Sequence, residues 1–369
     1  MAPEQRRRAF LEAMAGLAVA SAASGAVDSS PPPSPSRRLR FAAIGLNHGH
    51  VYAQVDDVVR GGGELVAFHA KEPELATEFG RRFPAAKRAR EEREVLEDAS
   101  IPLVVSAAIP DERAALAVRA MQHAKDFMVD KPGATTLEQL AELRRVQAQT
   151  GRIWSVWYGR LADRALCRAA ELVRAGAVGR VLQTIGLGPH RMDPASRPPW
   201  FFEKARYGGI LCDLASHQAD QFLFFTGSTR FEVVASQTGN LGHRDRPGLE
   251  DFGDMLVRGD GGTGYARVDW FTPGGLRTWG DGRFTVLGAD GFLEVRQNAD
   301  LGGRPGGNHL FLVDQKETRY VDCRDQPLPA GGQLVSDVLA RTETAMSQAH
   351  CFLATELALR AEAAARRIA

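Results

Sequence analysis

Asp213 and His217 stand four residues apart in an apolar run that opens at Gly208-Gly209 and continues through Phe222 to Gly227. The run reads as one buried helix, and at that spacing a carboxylate and an imidazole share a face. A charged group turned toward a core is costly unless it is paired or used. The couple is therefore either a core histidine satisfied by a local aspartate, or an acid–base pair, since imidazole titrates near neutrality. The rest of the chain bears on that choice by supplying a nucleotide site and a lysine.

The elements that must position these groups follow from hydrophobic patterning. Apolar runs near residues 39–44, 65–68, 103–108 and 127–129 alternate with helical patterns near 50–60, 73–83, 112–123 and 137–149. Such alternation builds βαβ units, hence a parallel sheet with helices on both faces. An α/β Rossmann domain is expected over residues 38–153. Its first turn, Gly45-Leu46-Asn47-His48-Gly49-His50, stands where Gly-x-Gly-x-x-Gly would hold a dinucleotide. Asn47 takes the second glycine position, and asparagine tolerates a left-handed backbone better than most residues. Gly45, Leu46, Asn47 and His48 are the expected cofactor contacts there, with helix N-terminal amides aimed at the phosphates. Two histidines with no clustered carboxylate or cysteine beside them in sequence do not imply a metal, and none is expected. The position that usually holds an acid for the ribose is Ala70, followed by Lys71 and Glu72. Lys71 suits a 2′-phosphate and tilts the cofactor from NAD toward NADP; the other reading leaves Lys71 solvated and Glu72 on the ribose.

The strand Phe127-Met128-Val129 ends in Asp130-Lys131-Pro132. This resembles the Glu-Lys-Pro motif of the Gfo/Idh/MocA oxidoreductases, with the shorter Asp130 in place of Glu. The resemblance extends to Val104–Asp111, to Arg160 after Trp157-Tyr158-Gly159, to the turn Gly176–Val181, and to Asp213-x-x-x-His217. It implies Lys131, Asp213 and His217 as catalytic residues, and Ala108, Pro110, Asp130, Lys131 and Arg160 beside the cofactor. In such a site a base takes a hydroxyl proton while hydride leaves for nicotinamide, and a lysine stabilises alkoxide character.

From residue 154 to 369 the pattern changes to many short strands with few helices between them. That predicts an α+β domain with a large, mostly antiparallel sheet, one face open for homo-oligomer formation. A loop carrying His190, Arg191 and Arg197-Pro198-Pro199-Trp200-Phe201-Phe202 precedes the catalytic run. Aromatic faces and charged forks suit a sugar ring, so Tyr158, His190 and Trp200 are candidate substrate contacts. Trp200 serves equally well as a plug tying the loop to the core. Trp270, Trp279 and Arg283 read first as sheet packing or interface.

Composition excludes other classes. The 369 residues are 44% hydrophobic and 25% charged, with a net charge of +1 and no basic stripe interleaved with aromatics, which argues against a nucleic-acid partner. Four scattered cysteines make neither a CxxC pair nor a zinc spacing. Residues 1–37 read as a signal peptide and a Pro/Ser-rich linker. Arg7-Arg8-Ala9-Phe10-Leu11 resembles a twin-arginine signal, and the apolar run after it is too short to span a bilayer. A periplasmic or secreted enzyme meets no free nicotinamide pool, so a tightly held cofactor is expected. The chain thus reads as an NAD(P)-dependent oxidoreductase of a sugar, polyol or glycoside. Alternatives are a redox-assisted glycosidase that oxidises, eliminates and reduces in one cycle, and a non-catalytic sugar-binding protein on the same fold.

Overall fold

The computed structural model describes residues 38–368, so the twin-arginine-like segment and its linker lie outside the described residues. Six parallel strands form the first sheet: β1 (Leu39–Ile44), β2 (Gly63–His69), β3 (Lys87–Arg88), β4 (Leu103–Ser106), β5 (Asp126–Asp130) and β6 (Trp154–Trp157), in the order 3-2-1-4-5-6. β4, β5 and β6 are buried at every position, as expected of parallel strands covered on both faces. The covering helices are α1 (His50–Arg60), α2 (Pro73–Arg82), α3 (Glu92–Leu96), α4 (Pro110–Gln122) and α5 (Leu137–Thr150). Local chemistry sets their ends: Pro73 opens α2, Thr136 caps α5 by accepting from the Gln139 amide, and Gly151 ends α5 at φ +60°. The strand order reverses between β1 and β4, which opens a crevice at their C-terminal ends. Trp154–Trp157, beyond residue 153, completes this sheet.

Helix α6 (Arg164–Arg174) leads into the second sheet, of nine strands. These are β7 (Val181–Pro189), β8 (Phe231–Gly239), β9 (Phe252–Gly259), β10 (Thr263–Asp269), β11 (Arg283–Gly288), β12 (Gly291–Arg296), β13 (His309–Asp314), β14 (Thr318–Val321) and β15 (Arg366–Arg367), in the order 14-13-12-11-7-10-9-8-15. Only the β7–β10 and β8–β15 pairs are parallel. One face packs on helices; the other leaves Ile185, Leu256, Leu287, Phe292 and Tyr320 exposed on neighbouring strands.

The glycine-led run is not one helix. α7 (Lys204–Tyr207) and α8 (Ile210–Asp213) are followed by a turn at Leu214-Ala215 before α9 (Ser216–Thr226). Asp213 and His217 therefore lie on either side of a break. The last helices, α10 (Ala330–Ala340) and α11 (Gln348–Ala363), return to the first sheet. Gly331 lies so close to α1 that a Cβ there would stand 2.0 Å from the Asp57 carbonyl oxygen. The Gln348 amide seals the β6 edge, accepting from the Trp154 amide (2.9 Å) and donating to the Trp154 carbonyl (3.1 Å).

Candidate active site

The first turn is tied on both sides at the crevice. Gly45 donates to the His69 carbonyl and accepts from Ala107, and His48 donates to the Ala107 carbonyl. At φ +76°, Gly45 approaches β4 so closely that a Cβ would stand 2.5 Å from Ala108 Cβ, whereas one at Gly49 would meet nothing within 4 Å. The turn is tight at its base and open above, with the α1 N-terminus beside it, a cradle that fits a dinucleotide. Leu46 points its side chain into the core and offers only backbone. Asn47 reaches to Glu72 Oε1 (2.9 Å), and Lys71 is held by Glu112 (2.7 Å). Both charges at the end of β2 thus border the space beside Gly45 and Ala108.

Asp130, at the end of β5, accepts from His48 (3.0 Å), His50 (2.9 Å) and Arg113 (3.1 Å). Burial works against this carboxylate, but its contacts with His50, Arg113 and His48 hold it well below the usual range. His48, His50 and Asp130 are the group of possible metal ligands found among the described residues. A buried guanidinium on one Asp130 oxygen opposes a divalent cation there, and the donors present read as a satisfied carboxylate. Arg113 was not anticipated from sequence. Wholly buried, it also donates to the carbonyls of Ala108 (2.7 Å), Asp130 (3.1 Å) and Pro132 (3.1 Å), and so fixes the backbone that carries Lys131.

Lys131 Nζ donates to Asp213 Oδ1 at 2.7 Å. Burial would raise the Asp213 carboxyl, but Lys131 and, after it, its neighbours His48 and Arg113 together hold it down. Asp213 makes no bond to His217. His217 Nδ1 instead accepts the Gly159 amide at 3.0 Å, and burial together with Lys131 pushes the ring's pKa down to about 3. The neutral ring consequently carries its proton on Nε2. His190 has the opposite polarity: its Nδ1 donates to the Gly188 carbonyl (3.0 Å), so Nε2 keeps a lone pair. Burial, with Lys131 contributing, holds His190 at about 4.

These groups line one cavity of about 470 Å³, with Asn47, His48, Pro110, Asp130, Lys131, His190, Trp200, Asp213 and His217 among its walls. Trp270 is packed in the core as expected and also lines the cavity, Trp279 lines it as well, and Arg283 turns away to Asp281. Tyr158 and Arg160 line neither this cavity nor the space beside Gly45 and Ala108. Tyr158 is buried with its hydroxyl on Thr355 (3.1 Å), because the chain leaving β6 turns that ring into the core. Arg160 grips Asp220 through Nε (2.8 Å) and Nη2 (2.9 Å), and His350 holds the same carboxylate at 2.8 Å. Arg160 thereby anchors the Gly159 amide that orients His217.

A parallel sheet with a glycine turn at its switch point, and a second sheet carrying polar groups over that crevice, is the plan of a two-domain dinucleotide-binding protein. Residues 39–158 match the oxidoreductase family with an NAD-binding Rossmann fold, and residues 167–294 match the GFO/IDH/MocA C-terminal domain. The chain belongs to the Gfo/Idh/MocA oxidoreductase family. A solved structure of a putative oxidoreductase from Erwinia carotovora atroseptica is 44% identical, with a TM-score of 0.88 over 90% of this chain and 100% of that one. Among curated relatives, D-xylose dehydrogenase of Paenarthrobacter nicotinovorans is 30% identical over 33% of each chain. The NAD(+)-dependent scyllo-inositol 2-dehydrogenase of Bacillus subtilis is 25% identical over 59% of this chain and 61% of its own. The chain thus spans about a third to three-fifths of the length of these two curated relatives.

Proposed function

We propose that the protein is an NAD(P)-dependent oxidoreductase acting on a hydroxyl–carbonyl couple of a sugar, polyol or glycoside. The observation that carries this reading is the convergence of the Lys131–Asp213 pair and two neutral histidines of opposite polarity on one cavity beside the dinucleotide turn. When bound, the nicotinamide supplies the two-electron acceptor or donor.

His217 Nε2–H donates to the reacting oxygen and stabilises its developing negative charge. Lys131 has three N–H donors, of which one goes to Asp213 and two remain for the cavity. In oxidation, the hydroxyl proton passes to Lys131 Nζ as Nζ releases another along its bond to Asp213 Oδ1. His190 Nε2 accepts from a neighbouring substrate hydroxyl and orients the ring, and Trp200 gives it an apolar face. The two charges at the end of β2 decide the cofactor: Lys71, once released from Glu112, suits a 2′-phosphate, and Glu72 suits a ribose diol. We further propose export through the Arg7-Arg8-Ala9-Phe10-Leu11 segment, with the cofactor carried in the folded protein.

The test is mass spectrometry of nucleotide released on denaturation, followed by titration of stripped protein with NAD+ and NADP+. The expected result is bound nucleotide and, if Lys71 reads a 2′-phosphate, a Lys71→Ala variant weakened for NADP+ alone. Protein that releases no nucleotide and binds neither one refutes the reading.

A further inference from the structure

We propose that the substrate is a sugar acid rather than a neutral sugar, and that Arg197 is the residue that binds its carboxylate. This rests on the oxidoreductase reading above and assigns the substrate class of the same cavity.

Arg197 lies between two short 3₁₀ turns, at Pro194–Ser196 and Pro199–Phe202, and lines the cavity. The following Pro198-Pro199 stiffens the loop that presents it. Its guanidinium sits over three rings at once: Phe201 at 4.5 Å, Trp279 at 4.7 Å and Trp270 at 5.1 Å. Stacking of this kind engages the faces of the guanidinium and leaves its in-plane N–H groups unsatisfied. Nε and Nη2 are both shut off from solvent, and neither has a hydrogen-bond partner. Buried donors left this way are costly and call for a ligand.

Those two nitrogens form one edge of the guanidinium, and this chain shows what that edge is for. In Arg160 it grips Asp220 at 2.8 and 2.9 Å, and in Arg119 it grips Glu92 at 2.7 and 3.0 Å. Both are carboxylates taken bidentately. No described carboxylate lies within ion-pair distance of Arg197. Asp213, whose charge it feels, is already bonded to Lys131.

Charge matching leads to the same class. Lys131 is balanced by Asp213 and Arg113 by Asp130, while burial keeps His48, His190 and His217 neutral at pH 7. Of the lysine and arginines lining the cavity, Arg197 is the one left without a carboxylate partner among the described residues. One guanidinium edge fits one planar monoanion, and a phosphate monoester dianion would bury a second charge uncompensated. The edge is closed to solvent, so the carboxylate is admitted by displacing Trp279, which is 44% exposed.

The experiment measures binding, by tryptophan fluorescence, and turnover of the NAD(P)-loaded protein. The probes are D-glucuronate, D-galacturonate and D-gluconate, each beside its neutral hexose, the uronamide where it exists, and the hexose 6-phosphate. At least one acid should bind about 10- to 100-fold tighter than its neutral partner, the span of a charged hydrogen-bond pair. Arg197→Gln should collapse that acid-to-neutral ratio, and Arg197→Lys, which keeps the charge but loses the fork, should restore part of it. A ratio that Arg197→Gln leaves unchanged, equal binding of neutral sugars, preference for the phosphates, or no binding of any acid overturns the proposal. Tight, Arg197-dependent acid binding without turnover would instead count against the oxidoreductase reading alone.

Discussion

Replacing His217 separates two roles that the imidazole can play at a reacting hydroxyl. As a base it must present a lone pair at Nε2, which moves its proton to Nδ1 and sets that N–H against the Gly159 N–H. The buried amide then loses its acceptor, at about 1–3 kcal/mol. As a cationic acid it must be protonated, and with a pKa of about 3 only about one molecule in 10⁴ is so at pH 7, roughly 5 kcal/mol of barrier. As a neutral donor it needs neither change. His217→Gln keeps an N–H where Nε2–H was and has no basicity, whereas His217→Ala removes both. Loss of a donor to developing charge costs about 10²–10³ in rate. His217→Ala should fall by that factor and His217→Gln should stay within about tenfold of wild type. Nitrogen-15 NMR of the ring, which needs no substrate, should show protonation at Nε2 and no titration between pH 5 and 8. A glutamine variant as inactive as the alanine one, or a ring that titrates near 6.5, would refute the donor assignment.

Acid should destabilise the fold through its neutral histidines. His48, His190 and His217 are held at about 4, 4 and 3, below the ordinary 6.5, so the unfolded chain binds more protons between those values and stability is lost as pH falls from 6.5 toward 4. At pH 5 each contributes about 2 kcal/mol of loss, and halving for their openness to the cavity leaves about 3 kcal/mol in all. Urea titrations at pH 7.5 and pH 5 check this, and equal midpoints would contradict it. The exposed stripe Ile185, Leu256, Leu287, Phe292 and Tyr320 should be covered by a second copy of the chain. Light scattering should show an oligomer that Phe292→Lys dissociates; a monomeric wild type would rule the stripe out as the interface.

Much of the first sheet was legible because parallel strands buried on both faces write themselves as unbroken apolar runs. Leu39–Ile44 and His50–Arg60 fall where the pattern puts them. The break after Asp213 was not legible. Leucine and alanine both favour helix, and the turn at Leu214-Ala215 accompanies tertiary contacts that take Asp213 to Lys131 and His217 to Gly159. Arg113 was hidden, and Arg197 legible only as part of its loop, for a related reason: an arginine in sequence reads as surface. Arg113 meets Asp130 only because β4 and β5 are adjacent, and Arg197 meets Trp270 and Trp279 only because the second sheet folds beneath its loop. Tyr158 shows the converse error, since its place beside Arg160 in sequence says nothing about where its ring points.

The seal on the first sheet sets an order of assembly. Trp154 at the β6 edge takes its hydrogen bonds from Gln348, which leaves the ribosome 194 residues later, and the Arg160–Asp220 pair is completed by His350. A nascent chain that has made every element of the nucleotide-binding half still exposes a bare strand and a loosely held Gly159. The sheet edge stays unsealed, and Asp220 lacks its His350 contact, until α11 has been synthesised. Translation that stops short of residue 348 therefore yields a chain prone to edge-to-edge aggregation, not a partly active one.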